Sequence, residues 1–154
     1  MSELDRCRHE ILGYVELGMW EEANETIDNL PAELITDLTI LGWRMRVYQE
    51  LDAVELMKTV ATHLIKMQPE KPENWIGYAY AVRHVDGLEA TLRDLRTAIK
   101  RYPNYSVIHF ELALHESWMG MLDEAKEHLQ RAIQLDPKLR EKALTDSELA
   151  PMVD

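Results

Sequence analysis

One short phrase occurs three times along this chain of 154 residues, each time 34 residues further on. It reads Leu64-Ile65-Lys66-Met67-Gln68-Pro69, then Ala98-Ile99-Lys100-Arg101-Tyr102-Pro103, then Ala132-Ile133-Gln134-Leu135-Asp136-Pro137. A second phrase has the same period, because Gly18-Met19-Trp20-Glu21-Glu22-Ala23 and Gly120-Met121-Leu122-Asp123-Glu124-Ala125 lie 102 residues apart, which is three times 34. Two unrelated phrases therefore indicate one period, and they predict a protein built from repeats of that length.

Each repeat is predicted to be two helices joined by a tight turn. Gly18 and Gly120 stand where a first helix must stop, since glycine alone accepts positive φ at little steric cost. Asp52 and Asp86-Gly87 mark the equivalent turns, and connections this short force the two helices to run antiparallel. Proline ends each second helix because it cannot donate a hydrogen bond to the next turn. Small residues are expected where the helices approach closely, at Ala23, Ala79, Ala98, Ala113, Ala125 and Ala132.

The period and the phrases resemble the tetratricopeptide repeat family, whose pattern is Trp-x2-Leu-Gly-x2-Tyr, then Ala-x3-Phe, then Ala and Pro. The last repeat shows the resemblance most clearly, through Gly120, Ala125-x3-Leu129, Ala132 and Pro137. The third repeat follows it through Trp75-x2-Tyr78-Ala79. The resemblance implies an all-α fold, a right-handed α-solenoid of about four helix-turn-helix repeats, in a protein that binds other proteins.

We predict a single domain over residues 1–154, with repeats at about 4–33, 38–71, 72–105 and 106–139. Pro31 and Pro69 are 38 residues apart instead of 34, so a longer or distorted connection is expected after the first repeat. Residues 140–154 are predicted to cap the last repeat, because terminal caps keep a solenoid soluble. The apolar side chains expected to provide this cover are Leu139, Ala143, Leu144, Leu149 and Met152.

The net charge of −11 is concentrated near the start of the chain. Residues 1–40 hold ten acidic residues against Arg6 and Arg8, a net charge of −8. A strongly acidic surface repels phosphate backbones, which argues against nucleic acid as a partner. The acidic first quarter has two interpretations that stay open: it serves solubility alone, or it meets a basic partner.

The sequence also predicts a cytoplasmic protein that does not associate with membranes. Cys7 is the one cysteine, which excludes an intrachain disulfide and fits a reducing compartment. The first residues are charged, with no apolar stretch typical of a signal peptide. No apolar run approaches the length of a transmembrane helix.

A protein or peptide partner is expected in the concave surface that the first helices of successive repeats line. Aromatic residues and arginines most often dominate binding energy, so we expect an extended or helical peptide with apolar anchors and some acidic character. Phe110, Leu114 and Trp118 are equally compatible with cover by the C-terminal segment, whereas Tyr14, Trp75 and Tyr78 are read as core. Further copies of the same chain, in a homo-oligomer, are a second kind of partner compatible with the sequence. The 3.6-residue period places on the groove face Arg8, Leu12, Trp43, Arg46, Ile76, Tyr80, Arg83, Phe110, Leu114 and Trp118.

No arrangement of residues predicts catalysis, a cofactor or a metal. Cys7 has no nearby base, since His9 lies on another helix face, and we expect a buried structural thiol. Glu111 and His115 stand at i and i+4, without a third ligand at fixed spacing, and are read as a solvent-exposed pair or weak helix bridge. The leading hypothesis is a non-enzymatic adaptor or scaffold. The alternative is a secretion-type chaperone that holds an exported client.

Overall fold

The computed structural model describes residues 1–154, which form helices and short connections with no strand. The predicted all-α fold is confirmed. None of the helices combines the length and the apolar character needed to cross a bilayer. A single turn of 3-10 helix covers Ala150–Met152. The ten α-helices are α1 Glu3–Glu16, α2 Trp20–Asp28, α3 Ala32–Ile35, α4 Leu38–Glu50, α5 Val54–Met67, α6 Pro72–Asp86, α7 Leu88–Arg101, α8 Ser106–Trp118, α9 Leu122–Leu135 and α10 Leu139–Leu144.

The turns lie where the sequence predicts them, each at a residue with positive φ. The angle is 69° at Gly18, 58° at Asp52, 92° at Gly87 and 76° at Gly120. After three of these residues, the next backbone N–H reaches back five positions to a helix carbonyl. These bonds are Met19 to Tyr14 at 2.9 Å, Ala53 to Tyr48 at 2.8 Å and Met121 to Glu116 at 2.9 Å. They satisfy carbonyl groups that have no partner inside the helix, and so stabilise the reversal of the chain.

The prolines of the first phrase end α5, α7 and α9 in one common way. Each helix ends two residues before the proline, and the intervening residue takes a φ of −138° at Gln68, −125° at Tyr102 and −139° at Asp136. The ring of a following proline disfavours helical backbone at this position, which accounts for the repeated geometry. The N–H of each of these three residues still bonds four positions back, at 2.8 to 2.9 Å.

The carbonyl of the proline then accepts a hydrogen bond from the next helix. Trp75 Nε1 donates to the carbonyl oxygen of Pro69 at 2.8 Å, and His109 Nε2 lies 2.7 Å from that of Pro103. A carbonyl can only accept, so Nε2 of His109 carries the proton. Trp75 and His109 are themselves 34 residues apart. The 34-residue repeat therefore includes a side-chain hydrogen bond near the start of α6 and of α8.

The helices group into two compact units, residues 1–81 and residues 82–154. The core of the first unit has two parts. Ile11, Ile27 and Ile40 join α1, α2 and α4, and all three are fully buried. A second cluster joins α4, α5 and α6 through Met45, Tyr48, Met57, Ala61, Leu64 and Ala81.

The expected irregular connection after the first repeat is confirmed, because residues 32–35 form the short helix α3. Asp37 then starts α4, and its side chain accepts a hydrogen bond from the N–H of Ile40 at 3.1 Å. An aspartate at this position satisfies one of the backbone donors left open at a helix start. Cys7 on α1 is partly buried, so the expectation of a buried structural thiol is wrong.

The C-terminal segment packs on α8 and α9 in the second unit. Ala143 and Leu149 are fully buried in one cluster with Phe110, Ala113, Leu129 and Ala132, and Leu139 and Met152 pack against that cluster. The predicted cap is therefore present. Leu144 departs from the prediction, since half of its surface is exposed. Of the six alanines expected in close contacts, five are fully buried and Ala98 is partly buried.

Gly77 marks the closest approach of α6 to α4 in the first unit. An added Cβ would clash with Sδ of the buried Met45 and lie 2.7 Å from its Cε. Overpacking a core costs about 1–3 kcal/mol, whereas alanine in place of glycine within a helix contributes about 0.5–1 kcal/mol. We expect Gly77→Ala to lower the free energy of unfolding in urea. Gly13→Ala is the control, because no atom lies within 4 Å of its added Cβ, and it should raise that free energy. Equal stability gains for both variants would contradict this packing.

Candidate protein-binding surface

Arg8 is held by a two-pronged bond to Asp37. Its Nε donates to Oδ1 at 3.2 Å, and its Nη2 donates to Oδ2 at 2.6 Å. Burial raises the pKa of Asp37, but the bonds from Arg8 and from the Ile40 N–H outweigh this effect and hold the pKa below its usual value. Asp37 thus caps α4 and ties it to α1 at the same time. Paired charges in this geometry are among the stronger hydrogen bonds of proteins.

Trp43 lines two hollows in the surface of the first unit. The larger, of about 420 Å³, is also lined by Met1, Asp5, Arg8, His9 and Leu12 of the α1 region. The smaller, of about 230 Å³, extends from α4 to the start of α6 and includes Leu38, Thr39, Gly42, Lys71 and Glu73. Leu12 and Trp43 are partly buried, and Thr39 is exposed. We call this region, formed by Met1, Asp5, His9, Leu12, Thr39, Gly42 and Trp43, the Trp43 surface.

The two arginines of α4, Arg44 and Arg46, also have partners within the first unit. Arg46 donates to Glu50 at 3.1 Å, and its guanidinium lies 5.5 Å from the centre of the Trp20 ring. Arg44 pairs with Asp28 and lies over the Tyr48 ring at 5.1 Å. These arginines therefore join α4 to the side chains around it, in contacts that the sequence pattern did not predict.

The predicted groove residues of α6 differ in their exposure. Ile76 is 37% exposed. Tyr80 is partly buried and packs against the cluster around Met45. Trp75, predicted as core, is buried, whereas Tyr78 and Tyr14 are partly buried. Of the two predicted apolar groove residues of α6, Ile76 is thus more accessible than Tyr80.

Phe110 of α8 lies in the core of the second unit. It is 3% exposed, packs with Ala143 and Leu149 of the cap, and has the Lys142 ammonium 4.9 Å from its ring centre. The expectation that Phe110 lines an open surface is therefore replaced by the alternative, cover by the C-terminal segment. Leu114 is partly buried against the same cluster.

Trp118 remains accessible at the end of α8, with 39% of its surface exposed. The Arg83 guanidinium lies 4.7 Å from the centre of its ring, and the His115 ring lies 4.9 Å away in an edge-on arrangement. An arginine over an indole is a favourable cation–π contact. Arg83 and Trp118, two of the predicted groove residues, are thus in contact in the second unit.

Glu111 and His115 are buried, at 5% and 2% exposure, so their interpretation as a solvent-exposed pair is wrong. Burial raises the pKa of Glu111 to about 7, and the positive charges of Lys142 and Arg83 offset this only in part. Burial likewise lowers the pKa of His115 to about 4, against a bond of 2.7 Å between Nδ1 and the Glu111 carbonyl oxygen. Nε2 of His115 is buried without a hydrogen-bond partner. At neutral pH His115 is therefore uncharged, and Glu111 is protonated in about half of the molecules.

A second buried carboxylate lies nearby on the same helix. Glu116 is 1% exposed, and its two oxygens face Arg96 of α7 at 3.5 Å and His128 of α9 at 2.7 Å. Sequence reasoning missed this contact, which joins three helices, because nothing in the local pattern distinguishes Glu116 from an exposed helix residue. No three His, Cys, Asp or Glu side chains lie close enough together to share a metal ion.

The raised pKa of Glu111 makes stability depend on pH. Between about pH 4.5 and 7 the folded chain keeps a proton that the unfolded chain releases, so this residue's contribution to stability is lost as pH rises through about 7. A shift of this size corresponds to about 3 kcal/mol. We expect Glu111→Gln to unfold at higher urea concentration than the wild type at about pH 8, and to gain less at about pH 5. Glu124→Gln, which removes an exposed acid of α9, is the control. An unchanged pH dependence in Glu111→Gln would contradict the assignment.

No protein-family model and no curated protein sequence matches this chain. Similar solved structures exist. A tetratricopeptide repeat protein of Thermus thermophilus, TTC0263, is 22% identical, with a TM-score of 0.67 over 97% of this chain and 80% of that one. MamA of Desulfovibrio magneticus RS-1, from residue 41 to the end, is 17% identical, with a TM-score of 0.69 over 99% and 84%.

The structure of MamA MSR-1 is also similar, at 17% identity and a TM-score of 0.65 over 89% of this chain and 79% of that one. At these identities the similarity concerns the fold and not the partners. It agrees with the period, the turns and the proline geometry described above. This chain therefore has the fold of the tetratricopeptide repeat proteins.

Proposed function

We propose that this chain is a protein-interaction module, and that it binds a segment of another protein on the Trp43 surface. The fold supports a scaffold for protein contacts in general. The observation that carries the specific proposal is the position of Trp43, which lines both of the hollows described above. A partner segment that crosses α1 and α4 would contact this one indole from either side.

The residue types of the Trp43 surface fit protein recognition. Tryptophan is among the side chains that most often contribute a large share of binding energy. Leu12 adds apolar area in the larger hollow, and Thr39 and Gly42 leave the smaller one open to an approaching side chain. An apolar side chain of the partner that becomes buried here would contribute about 1.5–3 kcal/mol.

The Trp43 surface is held in place by the core of the first unit and by an ion pair. The Arg8–Asp37 bond fixes α4 beside α1, and Trp43 packs against the cluster of Ile11, Ile27 and Ile40. A surface that is rigid before binding loses little conformational freedom when the partner arrives. The arrangement thus favours binding without a large rearrangement of the first unit.

Site-specific crosslinking tests this proposal. A photoreactive amino acid in place of Thr39, at the smaller hollow, should give discrete crosslinked partner bands in the native cell extract. The same amino acid in place of Thr59, an exposed residue of α5, should give none of these bands. Trp43→Ala should weaken capture of the crosslinked partner by about tenfold or more.

Because Trp43 also packs on the core, folding must be checked separately. Leu12→Asn changes the larger hollow without altering charge and should weaken capture of the same partner. Leu56→Ala, at a 55% exposed leucine of α5, should leave this capture unchanged. Far-ultraviolet circular dichroism confirms that each variant stays helical. Identical capture by the wild type, Trp43→Ala and Leu12→Asn would refute the Trp43 surface as the binding site.

A further inference from the structure

We infer that the segment bound at the Trp43 surface is basic, with Lys or Arg side chains beside its apolar anchors. This inference rests on the proposed function of the same surface and specifies the partner's chemistry. It selects one of the two interpretations that the sequence left open, a basic partner for the acidic first quarter, over an acidic peptide held by the groove arginines.

The arginines of the first unit that were expected to receive an acidic peptide are already paired. Arg8 donates two hydrogen bonds to Asp37, and Arg46 donates to Glu50. An acidic partner at Arg8 would compete with Asp37, which also caps α4 through the N–H of Ile40. Removing one member of a pair that is partly buried leaves the other charge uncompensated. Arg8 therefore ties α1 to α4, Arg46 is paired within α4, and both arginines already have a carboxylate of the chain as partner.

An acidic group, by contrast, is available in the larger hollow. Asp5 is exposed and lines this hollow. Its Oδ2 accepts hydrogen bonds from the Ser2 hydroxyl at 2.6 Å and from the Ser2 N–H at 3.2 Å. Both bonds use the same oxygen, so Oδ1 remains accessible to a donor from a partner. A Lys or Arg of the partner can reach Oδ1 while its neighbouring apolar side chain contacts Leu12 or Trp43.

The remaining charges at the surface do not reverse this preference. Besides Asp5, the larger hollow is lined by His9, by Arg8, whose charge is paired with Asp37, and by Met1 with its N-terminal amino group. Lys71 and Glu73 compensate each other in formal charge at the smaller hollow. The whole first unit carries fifteen Asp and Glu against seven Lys and Arg, a net charge of −8, compared with −3 for residues 82–154. Such a field attracts basic segments during approach. A cation that reaches the Trp43 indole would gain a further cation–π contact.

Selection from a library of short random peptides tests the inference. The immobilised full chain is the target, and peptides that also bind the Trp43→Ala chain are removed in each round. We expect the surviving peptides to combine Lys or Arg with aromatic or branched apolar residues. Their binding should weaken by about tenfold on Asp5→Lys, by less on Asp5→Asn, and progressively with added salt.

Glu22→Lys is the matched control, because it makes the same change of net charge on the exposed side of α2. It should weaken the binding of the selected peptides by no more than about twofold. An equal loss on Asp5→Lys and Glu22→Lys would overturn the inference, since the attraction would then belong to the chain as a whole. Surviving peptides rich in Asp and Glu would overturn it while leaving the proposed function in place. The absence of any Trp43-dependent peptide would refute both.

Discussion

The reversal of the chain after each first helix is the constraint on which the rest of the structure depends. A residue with positive φ redirects the backbone, and at three of the four turns the N–H that follows it bonds to a carbonyl five residues earlier. This motif fixes both the length of the connection and the antiparallel direction of the second helix. Glycine meets the requirement at positions 18, 87 and 120, while Asp52 meets it with an aspartate, one of the few other residues that tolerate this backbone.

The irregular connection after the first repeat determines the candidate surface. The additional residues form α3, and α4 then begins at Asp37 rather than at a pre-proline turn. Asp37 must cap α4 without the help of a repeated motif, and Arg8 provides the bond that holds this start against α1. Trp43 lies within the helix fixed in this way. The departure from the 34-residue period is thus linked to the place in the first unit where one tryptophan lines two hollows.

The fold could be predicted from the sequence because its signals are local. Gly18, Gly120 and the three prolines act within a few residues of themselves, and their spacing alone carries the period. The candidate surface could be predicted only in part, because it depends on pairing between distant residues. Arg8 and Asp37 are 29 residues apart, and no local pattern indicates that this arginine is already bound. Helical periodicity placed Leu12 and Trp43 on one face, but it could not show which charges beside them were neutralised within the chain.

The C-terminal cap stabilises the second unit but lies close to a buried carboxyl group, which the sequence pattern did not predict. Covering Phe110 with residues of α10 and the following turn buries a large apolar ring, which stabilises the fold. Glu111, which follows Phe110 in the sequence, is also buried, and a buried carboxylate is unfavourable in its charged form. Lys142 interacts with both residues. Its ammonium lies over the Phe110 ring, and its charge lowers the raised pKa of Glu111. A long cationic side chain can cover apolar surface while keeping its charge near the edge of that cover. One lysine of the cap thus packs on the aromatic ring and partly offsets the cost of burying the carboxyl group next to it.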